Sequence, residues 1–164
     1  MSEGGDRQIS AEFAQGLQDI TKELGIYFIV DEVQTGVCAT GSFWAHELWN
    51  LREAPDFVTF AKKMLSCGFY HNDNTRMTTP YRHMNTFMGD PVRAICTAHQ
   101  NDYIKQDNLA ALAVETGDYL KEKLSELAAK HPQFIKDLRG KGTYLAFDVE
   151  TVELRNDLIA KLKA

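Results

Sequence analysis

Two short apolar runs, each ending on a chemically active side chain, most constrain what this chain can fold into. Ile26-Tyr27-Phe28-Ile29-Val30 leads into Asp31-Glu32-Val33-Gln34-Thr35-Gly36, and Phe57-Val58-Thr59-Phe60-Ala61 leads into Lys62-Lys63. Continuous apolar runs of this length, bounded by turn formers, read as buried strands of an α/β sheet. As parallel neighbours they would bring Asp31 and a lysine to the crevice outside their carboxyl ends, where open α/β sheets bind ligands. An acid there can hold a positive ring nitrogen, and an amine can condense with an aldehyde. Side chains alternate along a strand, so only one of Lys62 and Lys63 should point into the crevice, and parity alone does not choose.

The flanking pattern supports an α/β reading. Ser10 can cap a helix carrying Phe13, Leu17, Ile20 and Leu24 on one face and stopping at Gly25. Residues Thr40–Trp49 predict a turn and a short helix. From Gly68 to Pro91 the chain reads as a long loop, and Tyr81, Met84, Phe87 and Met88 favour a functional loop over disorder. Pro91 suits the first turn of a helix. A second helix carries Leu109, Leu112, Leu120, Leu124 and Leu127 and ends at His131-Pro132. Arg139-Gly140-Lys141-Gly142 reads as a turn, Tyr144–Val149 as a half-buried strand, and Thr151 as the cap of a last helix. The composition changes near residue 105, which divides the chain into units 1–105 and 106–164.

Composition excludes several classes. Apolar content of 44% with 25% charged residues is that of a globular protein, and the net charge of −5 comes without a basic-aromatic stripe for nucleic acid. No run of about 18 apolar residues suggests membrane insertion. Cys38, Cys67 and Cys96 are odd in number and widely spaced, so they read as free thiols in a reducing compartment. His46, His71 and His83 show no metal-ligand spacing. Met1–Asp6 reads as neither a secretory signal nor an Arg-rich transit peptide.

Taken singly, the candidate residues are ordinary: Asp31 suits a cap or an ion pair, and both lysines suit solvent. Their combination is specific. Asp-Glu-Val-Gln-Thr-Gly after a buried run, followed by Thr59-Phe60-Ala61-Lys62, resembles the class III pyridoxal-phosphate aminotransferases. Further segments narrow the resemblance to the 4-aminobutyrate aminotransferases. These are Ser2-Glu3-Gly4-Gly5-Asp6, Thr40-Gly41-Ser42-Phe43-Trp44-Ala45-His46-Glu47, Gly68-Phe69-Tyr70-His71, Asn85-Thr86-Phe87-Met88-Gly89-Asp90-Pro91 and Arg139-Gly140-Lys141-Gly142-Thr143.

The resemblance implies a pyridoxal 5'-phosphate cofactor and a fold type I transferase. Residues 1–105 would be the C-terminal part of the large cofactor domain, and 106–164 the start of the small α+β domain. Lys62, first of the two lysines, aligns with the lysine that joins the cofactor and later moves the proton between substrate and cofactor. Asp31 aligns with the acid on the ring nitrogen, Val33 with the residue under the ring, and Gln34 with the contact to the phenolic oxygen. Thr86 aligns with a phosphate contact that crosses from the partner subunit of a homodimer. Glu3 aligns with a substrate-pocket glutamate. The implied reaction transfers an amino group from 4-aminobutyrate, or a similar ω-amino acid, to 2-oxoglutarate, giving succinate semialdehyde and glutamate. The implied setting is the mitochondrial matrix or cytoplasm.

Two departures temper this. Cys38 stands where the family commonly has glycine, which costs roughly 1 kcal/mol if the position needs positive φ. The chain also begins at the family's substrate-pocket glutamate, so the phosphate loop, ring-stacking aromatic and substrate arginines are expected to lie outside it. The sheet that remains is then expected to expose apolar faces and edges. The alternative reading is accordingly a catalytically inactive fragment of such an enzyme.

Overall fold

The computed structural model of the chain describes residues 5–163. Helix α1 (Ala11–Glu23) opens on Ser10, whose hydroxyl accepts a hydrogen bond from Phe13 N at 3.1 Å, and it stops before Gly25 in the left-handed region. Its apolar stripe does not face inward as the periodicity suggests. Phe13, Leu17, Ile20 and Leu24 are exposed, while Ala14 and Gln18 are buried. Polar docking decides the orientation: Gln18 Nε2 donates to Glu53 O at 2.8 Å, and Gln18 Oε1 accepts from Arg52 N at 3.0 Å.

Strand β1 (Ile29–Asp31) pairs with β2 (Phe57–Phe60) in parallel, setting Val30 against Val58 and Asp31 against Thr59. The strands are thus the expected neighbours, but β1 is shorter than its apolar run and only partly buried. Among the described residues it pairs with β2 alone; Val30 is buried, while Ile29 is 59% exposed. On the other side β2 pairs antiparallel with β3 (Gly68–His71), a strand that the loop reading of 68–91 missed. A four-residue strand opening on glycine carries no period of its own. Cross-strand rings support it instead, with centroids of Phe57 and Phe69 at 5.7 Å and of Phe60 and Tyr70 at 5.0 Å. The irregular chain from Arg76 to Asp90 remains as expected.

Asp90 caps α2 (Pro91–Gln106) through Val92 N at 3.0 Å, with Pro91 in the first turn. Helix α3 (Leu109–Lys130) follows after Asp107-Asn108, and then come β4 (Lys136–Lys141), β5 (Tyr144–Asp148) and α4 (Val152–Leu162), the last capped by Thr151. Arg139, Gly140 and Lys141 belong to β4 rather than to a turn. Gly140 makes that possible: at φ +122 it sits opposite Leu145, where a Cβ would lie 2.2 Å from Tyr144 O.

The β4–β5 hairpin meets the first half of the chain through backbone. Gly142 N-terminal to Thr143 has φ +55, and a Cβ there would come within 2.6 Å of Ala39 O; a Cβ on Gly117 of α3 would come within 2.0 Å of Gly142 O. Thr143 N donates to Ala39 O at 3.0 Å. Cys38, one residue before, does sit in the left-handed region, at φ +66. All three cysteines are free thiols. The architecture is α/β, with a three-stranded mixed sheet followed by a two-stranded antiparallel one. Among the described residues no helix is long and apolar enough to cross a membrane.

Candidate active site

The carboxyl ends of β1 and β2 meet at one site. Asp31 Oδ1 accepts from Val33 N at 2.9 Å and from Thr59 Oγ1 at 3.0 Å; among the described residues Oδ2 has no partner. The parallel register produces this, because Thr59 stands directly opposite Asp31 on the same face. Past β2 the chain turns into a short 3-10 turn with Lys62 at φ +50, and Lys62 Nζ donates to Gln34 Oε1 at 2.9 Å. Lys63 Nζ donates instead to the backbone oxygen of Gln34.

Asp31, Val33, Gln34 and Lys62 line a cavity of about 690 Å³, closed on another side by Ala45 and Trp49 and reached by Lys141 and Tyr144 from the β4–β5 hairpin. That volume suits a small cofactor or substrate. Of the two lysines that strand parity left open, Lys62 lines the cavity and Lys63 does not. Burial pushes the Lys63 amine down, as does the charge of Lys62, against the pull of Glu32.

Glu32 is the residue whose part was not foreseen. Only 2% exposed, it accepts at Oε1 from His46 N at 2.8 Å, shares a hydrogen bond with His46 Nδ1 at 2.9 Å, and accepts at Oε2 from Thr35 Oγ1. Burial pushes its carboxyl up, but the hydrogen bonds from His46, Thr35 and Ala45 outweigh burial and leave it below the usual carboxylate range. An acid directly after Asp31 at the end of an apolar run gives no sign of its burial, and it does not reveal a partner fourteen residues away.

The remaining expected residues divide. Glu3 lies outside the described residues. The chain just after it is held by the hairpin: Arg139 Nε donates to Gly5 O at 3.0 Å and Arg139 Nη2 to Asp148 Oδ1 at 2.7 Å, while Tyr144 OH donates to Asp6 Oδ1 at 2.9 Å. Thr86 stands on the exposed irregular segment and does not line this cavity.

The donor set matches a flat nitrogen heterocycle bearing an aldehyde and a phenolic oxygen. Asp31 Oδ2 is available for a ring N–H, and Gln34 Nε2 is available for an oxygen because Oε1 is taken by Lys62. Val33 supplies an apolar surface beside them. Pyridoxal phosphate has these features, so the residues present fit it.

Comparison with known proteins bears on the same point. The whole chain, residues 1–164, matches the family Aminotransferase class-III. It is 50% identical to the 4-aminobutyrate aminotransferase of Dictyostelium discoideum, over 99% of this chain and 33% of that protein. It is 44% identical to the mitochondrial 4-aminobutyrate aminotransferase of Sus scrofa, over 97% of this chain and 32% of that protein. Among solved structures it is similar to lysine aminotransferase from M. tuberculosis, with a TM-score of 0.93 and 33% identity over 99% of this chain and 38% of that one. The chain therefore spans about a third of the length of the curated relatives it matches, and its fold is that of part of a fold type I, pyridoxal-phosphate-dependent enzyme. By sequence and fold together, the chain belongs to the class III aminotransferases.

Proposed function

We propose that these residues form part of a pyridoxal-phosphate site for transamination of 4-aminobutyrate, or a similar ω-amino acid, with 2-oxoglutarate, yielding succinate semialdehyde and glutamate. The observation that carries the proposal is the meeting of Asp31, Gln34 and Lys62 at one cavity. Relatives named for 4-aminobutyrate support the substrate.

Bound pyridoxal phosphate supplies an aldehyde for amines and a ring that takes up the electrons of a breaking C–H bond. Lys62 would hold such a group through Nζ, and the same nitrogen, when free, would serve as the base that moves a proton. Asp31 would hold a ring nitrogen in its protonated form through Oδ2, Gln34 Nε2 would donate to a phenolic oxygen, and Val33 would offer the ring an apolar surface. Thr86 is assigned to the phosphate of a partner subunit in a homodimer, in keeping with its absence from the lining of this cavity. Glu3 is assigned to the substrate pocket. We assign residues 1–105 to the large cofactor domain and 106–164 to the start of the small domain. The setting proposed is the mitochondrial matrix or cytoplasm.

The test is spectroscopic. Purified protein mixed with pyridoxal phosphate should develop a visible absorption band that Lys62→Ala loses. A folded wild-type protein that develops no band would sink the cofactor assignment. A band without turnover of 4-aminobutyrate and 2-oxoglutarate would leave binding intact and support the inactive alternative.

A further inference from the structure

Asp31 and Glu32 are adjacent carboxylates with opposite fates at the end of β1. Asp31 is exposed to the cavity, whereas Glu32 is withdrawn from solvent. Burying an ionised group is expensive unless its hydrogen bonds are complete, and an apolar side chain of similar size would usually serve stability better. Here both oxygens are occupied. Oε1 takes the backbone N–H and the ring of His46, and Oε2 takes the hydroxyl of Thr35.

Those partners belong to different walls of the cavity. Thr35 lies in the turn that presents Val33 and Gln34, and His46 lies in the 3-10 turn Ala45–Trp49 that supplies Ala45 and Trp49. The backbone reinforces the same point: Glu32 N donates to Thr59 O at 3.0 Å, and Gly36 N donates to Glu32 O at 3.0 Å. Trp44, next to this turn, closes over Gly36, where a Cβ would come within 2.7 Å of its ring. Glu32 is therefore the brace between the floor of the cavity and its wall.

We propose that Glu32, acting through His46 and Thr35, is a positioning residue that holds Asp31, Val33 and Gln34 in register for the cofactor. The proposal rests on the cofactor reading above. Glu32 and Thr35 also border the cavity, but the atoms assigned to the cofactor belong to Asp31, Val33, Gln34 and Lys62. A site whose binding atoms are locked by buried hydrogen bonds loses little freedom on binding, so loosening the brace should weaken binding with those assigned atoms unchanged.

The test compares wild type, Glu32→Gln and Glu32→Leu in the full-length protein. Amide hydrogen exchange of the apoprotein reads the brace directly. Titration with pyridoxal phosphate reads affinity, and the visible band reads the electronic setting of the ring. Glu32→Leu should speed exchange in peptides covering residues 31–37 and 45–49, weaken the cofactor by about tenfold or more and shift the band. Glu32→Gln keeps an acceptor for His46 N–H and should recover most of the affinity. Wild-type exchange, affinity and band in a folded Glu32→Leu protein would overturn the proposal. Should that variant not fold, Thr35→Val, which removes one donor and keeps the carboxylate, takes its place: local acceleration of exchange with weakened binding supports the brace, and wild-type behaviour overturns it. If wild type takes up no pyridoxal phosphate, the cofactor reading fails, and exchange at 31–37 and 45–49 alone decides whether Glu32 braces the two walls.

Discussion

Lys62 Nζ and Gln34 Oε1 are hydrogen-bonded at 2.9 Å, joining the end of β2 to the turn after β1 across the mouth of one cavity. The bond fixes two things at once. It points the amine into the cavity, and it occupies the amide oxygen so that Gln34 Nε2 is the atom left to meet a ligand oxygen. A left-handed backbone at Lys62 is the local strain that aims this side chain.

The neighbouring lysine offers a sharp control. Burial and the charge of Lys62 push the Lys63 amine down, so acidity alone would favour Lys63 as the nucleophile. Geometry favours Lys62, since Lys63 is engaged with the Gln34 carbonyl and does not line the cavity. Borohydride reduction of cofactor-loaded protein, followed by peptide mass spectrometry, should put the pyridoxyl group on Lys62. Lys63→Ala should retain that label, and Lys62→Ala should lose it rather than transfer it to Lys63.

Asp31→Asn keeps an oxygen for Val33 N–H and the Thr59 hydroxyl while removing the charge. Because Asp31 is exposed, apoprotein melting should change little. Amino transfer by the full-length holoenzyme should fall by about 10²–10³-fold, the usual effect of removing one aligned electrostatic group. Equal turnover in the two proteins would remove Asp31 from the mechanism.

Local signals were legible where their physics is local. Ser10, Asp90 and Thr151 cap helices because a short polar side chain reaches the backbone N–H two or three residues on, and no distant residue is needed. The parallel pairing of β1 and β2 followed from two apolar runs with intervening chain. What escaped depends on partners far along the chain. The outward stripe of α1 is decided by the contacts of Gln18 with Arg52 and Glu53, β3 by rings on β2, and the part of Glu32 by His46. That Asp31 and Lys62 line one cavity could be anticipated, in contrast, because both stand at or just past strand ends, where α/β sheets form their crevices.

Glycines separate structural need from mere tolerance. Gly16 lies inside α1 with nothing within 4 Å of an added Cβ, so Gly16→Ala should stabilise the protein by about 0.5–1 kcal/mol. Gly117→Ala would drive a Cβ into the Gly142 backbone at 2.0 Å, and overpacking against backbone should cost about 2–4 kcal/mol. Urea unfolding of both variants checks the contrast, and a neutral Gly117→Ala would mean that α3 and the hairpin are not in contact as described.

Acid stability should carry the signature of Glu32. Its carboxyl is more acidic folded than its ordinary value of 4.5, because the hydrogen bonds from His46 and Thr35 outweigh burial. A depressed folded value means that the unfolded chain takes up the proton first as pH drops. The stabilisation from the ionised form is therefore complete above the ordinary value and is lost as pH falls through the lower, folded one. Glu32→Gln has no proton to take up, so its melting temperature should lie below that of wild type by a constant margin near neutrality. That margin should narrow below about pH 4.5 as wild type loses the ionised form. Thermal melts of the two proteins across about pH 3–7 measure it. A margin unchanged down to the lowest pH would show that the Glu32 carboxyl is no more acidic in the folded chain than in the unfolded one.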